Sequence, residues 1–267
     1  MNAVRSELRK ALTTRLWWVL LVIQSGAVAF FAAVFAFAFA FGGTESGAAG
    51  EPGALSPAQL ALTVYTAGVS LAYVFPLAFG ALLVTSEFRH RTIETTLLAE
   101  PRRARVILAK VGAALPFAIL YGLATAAVSL GVGSASLAAA GQETMLGEPD
   151  TWKALGLTVV AMGAWLLVGV GFGCAVTNQV VVIVGLLAWT QLVEPLLRIA
   201  AGFWEAAAPV ARFLPGAAGE AIVGSSFYSA SGLASLLPSG AGLAVLLAYG
   251  GVAALIGWLT TFRRDLT

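Results

Sequence analysis

Apolar positions in this chain come in long unbroken runs, and six runs stand out at about 17–42, 59–85, 107–133, 154–176, 179–197 and 240–262. A helix needs roughly 18 or more consecutive, nearly uncharged apolar residues to cross the hydrocarbon core of a bilayer, so the pattern predicts six membrane-spanning helices. Phe and Ala alternate from Phe35 to Phe41 as they would in a strand. A lone strand in lipid leaves its backbone groups unpaired, whereas a helix satisfies them internally, and the helix is preferred. The first run exceeds the 7 to 15 or so residues of a signal-peptide core and reads as a retained first span.

The segments between the runs differ in kind. The N-terminal stretch 1–16 places Val4, Leu8, Ala11 and Leu12 on one helical face and Arg5, Arg9 and Arg15 largely elsewhere, the arrangement of a helix lying in the membrane interface. Trp17 and Trp18 would then sit at headgroup depth. Residues 43–58 (GGTESGAAGEPGALSP) have no apolar periodicity and read as a solvated linker. The segment 198–239 is apolar, but Pro195 just before it and Pro209, Pro215 and Pro238 within it leave pieces too short to span. Broken backbone at membrane depth must be buried in protein or face a water-filled cavity, which predicts short or re-entrant helices before the sixth span.

Composition agrees with this division. The chain is 59% hydrophobic and 10% charged, with a mean hydropathy of +0.90, whereas about a quarter of the residues in a soluble domain are charged. The expected fold is an all-α membrane protein forming one unit over residues 1–267. A net charge of +2 says little, but its distribution says more. Arg5, Arg9, Lys10, Arg15, Arg89, Arg91, Arg102, Arg103, Arg105, Lys110, Arg263 and Arg264 fall on one side of a six-span arrangement, leaving Lys153, Arg198 and Arg212 on the other with most of the carboxylates. The positive-inside rule puts both termini in the cytoplasm, and arginine outnumbering lysine twelve to three in an Ala- and Gly-rich chain points to a bacterial cytoplasmic membrane.

Several chemistries lack their residues. No GxxxxGK[ST] loop occurs, and Lys10, Lys110 and Lys153 follow no glycine-rich turn, so the chain is expected to hydrolyse no ATP by itself. His90 is the one histidine and Cys174 the one cysteine, which leaves no His-based metal site, catalytic triad or intramolecular disulfide to assemble. A few arginines beside a span are better read as topology signals than as a nucleic-acid surface. Gly163, Gly169, Gly171 and Gly173 lie inside an apolar run and suit close helix packing. Phe30, Phe31, Phe35, Phe37, Phe39 and Phe41 cover more than one helix face and suit lipid or subunit contact.

Polar groups within spans are costly unless partnered or hydrated. Gln24, Tyr65, Tyr73, Tyr121, Thr190, Gln191 and Glu194 are therefore of interest, with Gln24, Tyr73, Gln191 and Glu194 the candidates for a transport pathway. Helix-to-helix hydrogen bonding is the alternative for each, and Arg198, four residues after Glu194, is positioned to pair with it.

The long charged interruption is SEFRHRTIETTLLAEPRRARVILAK, Ser86 to Lys110. It opens with Glu87 and Phe88 at the end of an apolar run, continues through Arg89, Arg91 and Thr92, and then sets Ile93, Leu97 and Leu98 as an apolar ridge beside Glu94. Pro101, Arg102 and Arg103 break it, and Lys110 begins the next apolar run. This order resembles the loop helix of the type-2 ABC exporter permeases, and the six-span layout, N-terminal amphipathic stretch and broken outer segment extend the resemblance to the whole chain. The resemblance implies that residues 86–106 form a cytoplasmic coupling element gripped by a separate ATPase subunit, which binds the ATP and Mg. It further implies a half-size permease that pairs with a second permease subunit as a homodimer and moves a hydrophobic or amphipathic substrate (drug, peptide or lipid-like) outward. A gradient-driven secondary transporter or channel, or a membrane anchor subunit, is the alternative. On the residues alone, Glu87 is positioned to accept hydrogen bonds from amides at the start of the loop helix.

Overall fold

The computed structural model describes residues 2–42, 55–204, 207–230 and 235–262, and every regular element among them is helical. In chain order these are α1 (Asn2–Thr13), α2 (Leu16–Gly42), α3 (Pro57–Leu71), α4 (Val74–Arg89), α5 (Ile93–Ala99), α6 (Arg103–Ala139) and α7 (Pro149–Ala175). There follow α8 (Gln179–Ala188), a π-helical turn (Trp189–Val193), α9 (Glu194–Gly202), α10 (Ala208–Ala211), α11 (Pro215–Val223), α12 (Phe227–Ala230) and α13 (Ser239–Thr260). Six helical stretches, with α3–α4 and α8–α9 each counted as one, are long and apolar enough to cross a membrane. They coincide with the six apolar runs, so the chain is a multi-pass membrane protein. The linker read at 43–58 lies largely outside the described residues, and Arg263 and Arg264 lie wholly outside them.

Prolines explain the two interrupted spans. Pro76 has no N–H to donate to Ala72 and its ring crowds that carbonyl, so the second span breaks at Ala72–Tyr73 and restarts as α4. Pro195 raises the same conflict with Gln191 in the fifth span. There the chain widens into the π-helical turn Trp189–Val193 instead of breaking, which relaxes the crowded register.

Apolar attraction between helices is weak in lipid, so close backbone packing has to hold them together. The central helix α7 packs between α4, α6 and α13 through glycines. A Cβ on Gly169 would run into the carbonyl of Leu77, one on Gly173 into that of Ala81, and one on Gly80 into that of Leu166. Gly171 meets Gly250 of α13 in the same way. The core fills around these contacts with Phe79, Phe117 and Tyr121 at one level and Tyr73, Trp165 and Leu246 at another. Phe35 and Phe39 pack onto a third cluster, while Phe30, Phe37 and Phe41 point outward.

Helix alternation gathers the N-termini of α2, α6 and α8 and the C-termini of α4, α7 and α13 at one end of the bundle. This is the basic end, which carries α1 and α5. The turn from α4 to α5 is tightly made. Arg91 sits at φ 55, the Arg91 amide donates to the Phe88 carbonyl, and the Thr92 amide donates to the Glu87 carbonyl at 2.9 Å. This is the double bond of a Schellman cap with an arginine where glycine is usual.

Candidate functional site

Two buried charge clusters mark the two ends of the bundle. At the basic end, Lys110 is 1% exposed, about two turns inside α6, and an ammonium there requires counter-charges. It finds two. Lys110 Nζ lies 2.8 Å from Glu7 Oε2 and 2.9 Å from Glu87 Oε2, with the Leu83 carbonyl at 3.3 Å. Lys10 closes the ring, pairing with Glu7 on its own helix and donating to Glu87 Oε1 at 2.6 Å and to Thr96 Oγ1 of α5 at 3.2 Å. Two carboxylates and two ammonium groups thus join α1, the end of α4, α5 and the start of α6. Burial alone would push the Glu7 carboxyl up, but Lys110 and Lys10 reverse this and hold it below the usual carboxylate range. Glu7 and Glu87 in turn hold Lys10 above the ordinary lysine value against its own desolvation.

This geometry corrects the role read for Glu87. Its carboxylate does not cap the start of α5, where Thr92 occupies the cap position without a side-chain bond. Two lysines claim it instead, because a buried carboxylate gains more from charge-assisted bonds than from neutral amides. Glu7 and Lys10 were missed as members of the site. A signal existed: a lysine opening an apolar run demands a carboxylate, and Glu7 and Lys10 stand three apart on one helix.

The apolar ridge of the loop also divides. Ile93 is buried and Leu97 half-buried against their own chain, leaving Leu98 82% exposed. Phe88 packs edge-on against Phe262 at 5.8 Å. Arg89, Arg91, Glu94, Pro101 and Arg102 are exposed, Arg89 donating to Gln179 at 3.4 Å. The partly buried Arg103 donates to the Phe262 carbonyl.

At the other end the fifth span meets α11. Glu194 accepts from the amides of Gly216 (2.9 Å) and Ala217 (3.0 Å), capping α11 from a distant helix. A Cβ at Gly216 would lie 2.5 Å from that carboxylate, so only glycine leaves room for the approach. Arg198 pairs with Glu220, one turn further along α11, and stacks its guanidinium over the Tyr228 ring at 3.9 Å. The pairing of Glu194 with Arg198 expected from their spacing is therefore replaced by two contacts to α11. The α11 N-terminus offers free amides to the carboxylate, and Glu220 offers a full charge to the arginine.

The remaining in-span polar residues are dispersed. Gln24 donates to Thr125 Oγ1 at 2.6 Å and to the Tyr121 carbonyl at 3.1 Å, joining α2 to α6. Tyr73 stacks on Trp165 at 4.1 Å and donates to the Thr190 carbonyl in the π-helical turn. Tyr65 donates to the Thr144 carbonyl, and Tyr121 to that of Trp17. Gln191 faces outward. What the two clusters do chemically is tie together helices remote in sequence. Neither the models of known protein families nor the curated proteins match this chain.

Proposed function

We propose that this chain is the membrane subunit of an ATP-driven exporter, acting in a pair, with its basic end in the cytoplasm and α5 as the element a separate ATPase subunit grips. The observation that carries this reading is the ring of Glu7, Lys10, Glu87 and Lys110. A force applied to α5 is useful only if it reaches the spans without being absorbed by a soft joint. The Schellman turn at Arg91 and the four-charge ring supply a stiff joint to α4, α6 and α1 together. Leu98 supplies an exposed apolar anchor, flanked by Glu94 and Arg91, and such an arrangement suits docking of a short helix into a groove.

On this reading α1 lies in the membrane interface and α10 to α12 dip into the bilayer from the outer side. The outward apolar faces of α2, α8 and α9 meet lipid or the second subunit. Orientation follows the basic residues: a cysteine at Gly147 should react with an impermeant thiol reagent from outside intact cells and one at Ala104 should not.

The deciding experiment purifies the tagged chain from its native membrane in mild detergent, assays ATP hydrolysis, and repeats both with Leu98→Asp. ATPase activity that accompanies the wild type and is lost with the variant is expected, because the new charge would be buried at the contact. Substrate accumulation in vesicles holding this chain alone, driven by an ion gradient without ATP, would refute the exporter reading.

A further inference from the structure

We propose that the basic end of the bundle holds a binding site for an anionic membrane lipid, in a cavity between α1, α4, α5, α6 and the start of α8. This site does not depend on the exporter reading. The cavity measures about 730 Å³, within the usual range for small-molecule sites. Its walls are graded. Along α4 the lining runs from Arg89 at the mouth to Leu82, Leu83 and Phe79 further into the bundle, with Leu16 and Lys10 beside the mouth and Lys110 buried beneath it. An apolar depth under a cationic mouth at the end of membrane spans is the shape of a lipid lying with its acyl chains inward and its headgroup at the surface.

The charges select the headgroup. Lys10, Lys110 and Arg89 give three positive charges on the lining and Glu7 and Glu87 two negative ones, leaving one positive charge. The lysines are committed to the carboxylates. Arg89 is committed only to the neutral Gln179 amide at 3.4 Å, and no carboxylate among the described residues pairs with it. Its guanidinium is the group placed to take a phosphodiester, whose planar pair of oxygens it matches. A singly charged lipid phosphodiester therefore neutralises the cavity, and a zwitterionic headgroup brings a cation that the site cannot place. Basic pockets between spans are known to take such headgroups.

Native mass spectrometry of the full chain in detergent tests the site, with short-chain phosphatidylglycerol, phosphatidylcholine and inorganic phosphate as probes. One phosphatidylglycerol should be retained per chain. Arg89→Gln should weaken it about tenfold, the scale of one charge-assisted contact, and Arg89→Lys should keep much of it. Leu83→Trp, which narrows the cavity without changing charge, should also reduce retention. Arg102→Gln, outside the cavity, should not. Equal retention of phosphatidylcholine, displacement of the lipid by phosphate, or full retention in both Arg89→Gln and Leu83→Trp would each overturn the proposal. Size-exclusion elution and helicity measured on the same preparations keep a folding defect separate from a binding one.

Discussion

Replacing Lys110 with methionine removes the one cation that sits deep in the four-charge ring, and its effect follows from what remains. Lys110 is 1% exposed and reaches both carboxylates within 3 Å. Without it, Glu7 and Glu87 share Lys10, whose side chain is 42% exposed and so is screened by water. One buried negative charge is left uncompensated. Breaking a buried pair from one side costs about 3–5 kcal/mol, and in a chain of this size each kcal/mol moves the unfolding midpoint by roughly 2 °C. A loss of roughly 6–10 °C is expected. Glu87→Gln alone should cost less, about 1–2 kcal/mol, since Lys110 keeps Glu7 and the amide still accepts a hydrogen bond. The combination decides the matter. In the Lys110→Met background Glu87→Gln removes the surplus charge and leaves a neutral Glu7–Lys10 pair, so the same substitution that destabilises the wild type should stabilise the variant. Cys174, buried and unpaired, provides the assay, because a thiol-reactive fluorophore reports its exposure during heating in detergent. A Lys110→Met midpoint within 1 °C of wild type, or a double variant whose loss equals the sum of the singles, refutes the reasoning.

Gly169→Val would drive a branched side chain into the Leu77 carbonyl; overpacking of this kind costs about 1–3 kcal/mol or more, and loss of monodisperse protein on size exclusion is the expected result. Arg198→Met leaves Glu220 buried without its partner and should cost about 3–5 kcal/mol, whereas Arg198→Met with Glu220→Gln should recover part of it; the Cys174 assay reads both. The pH response follows from directions of shift. Because folding lowers the Glu7 pKa, its contribution is present above the unfolded value of 4.5 and is lost as pH falls through the folded one. Because folding raises that of Lys10, its contribution is present below 10.5 and is lost as pH rises through the folded value. The unfolding midpoint should therefore drop on acidification below pH 4.5, and this drop should shrink in Glu7→Gln.

The six apolar runs, the packing glycines of α7 and the clustering of basic residues between particular runs are properties of consecutive residues, whereas the interruptions of the second span at Ala72–Tyr73 and of the fifth at Trp189–Val193 emerged only in the folded chain. Span location is legible because lipid imposes a one-dimensional rule, that every backbone group in the core must be satisfied within its own helix. The partners of buried charges obey no such rule. Glu194 and Arg198 stand at helical spacing and invite pairing, yet both turn to α11, because a second helix brought donors and a carboxylate closer than the i,i+4 neighbour. Glu87 was recognised as important, and its lysine partners, 77 and 23 positions away along the chain, were not. Ile93 and Leu98 read as one ridge, although five residues, about 500° of helical rotation, set them on different faces of α5, so that the first is buried and the second exposed. Local sequence decides which groups are too costly to leave alone in a membrane, and only the packed tertiary structure decides which group answers each of them, since that depends on distances between helices remote in sequence.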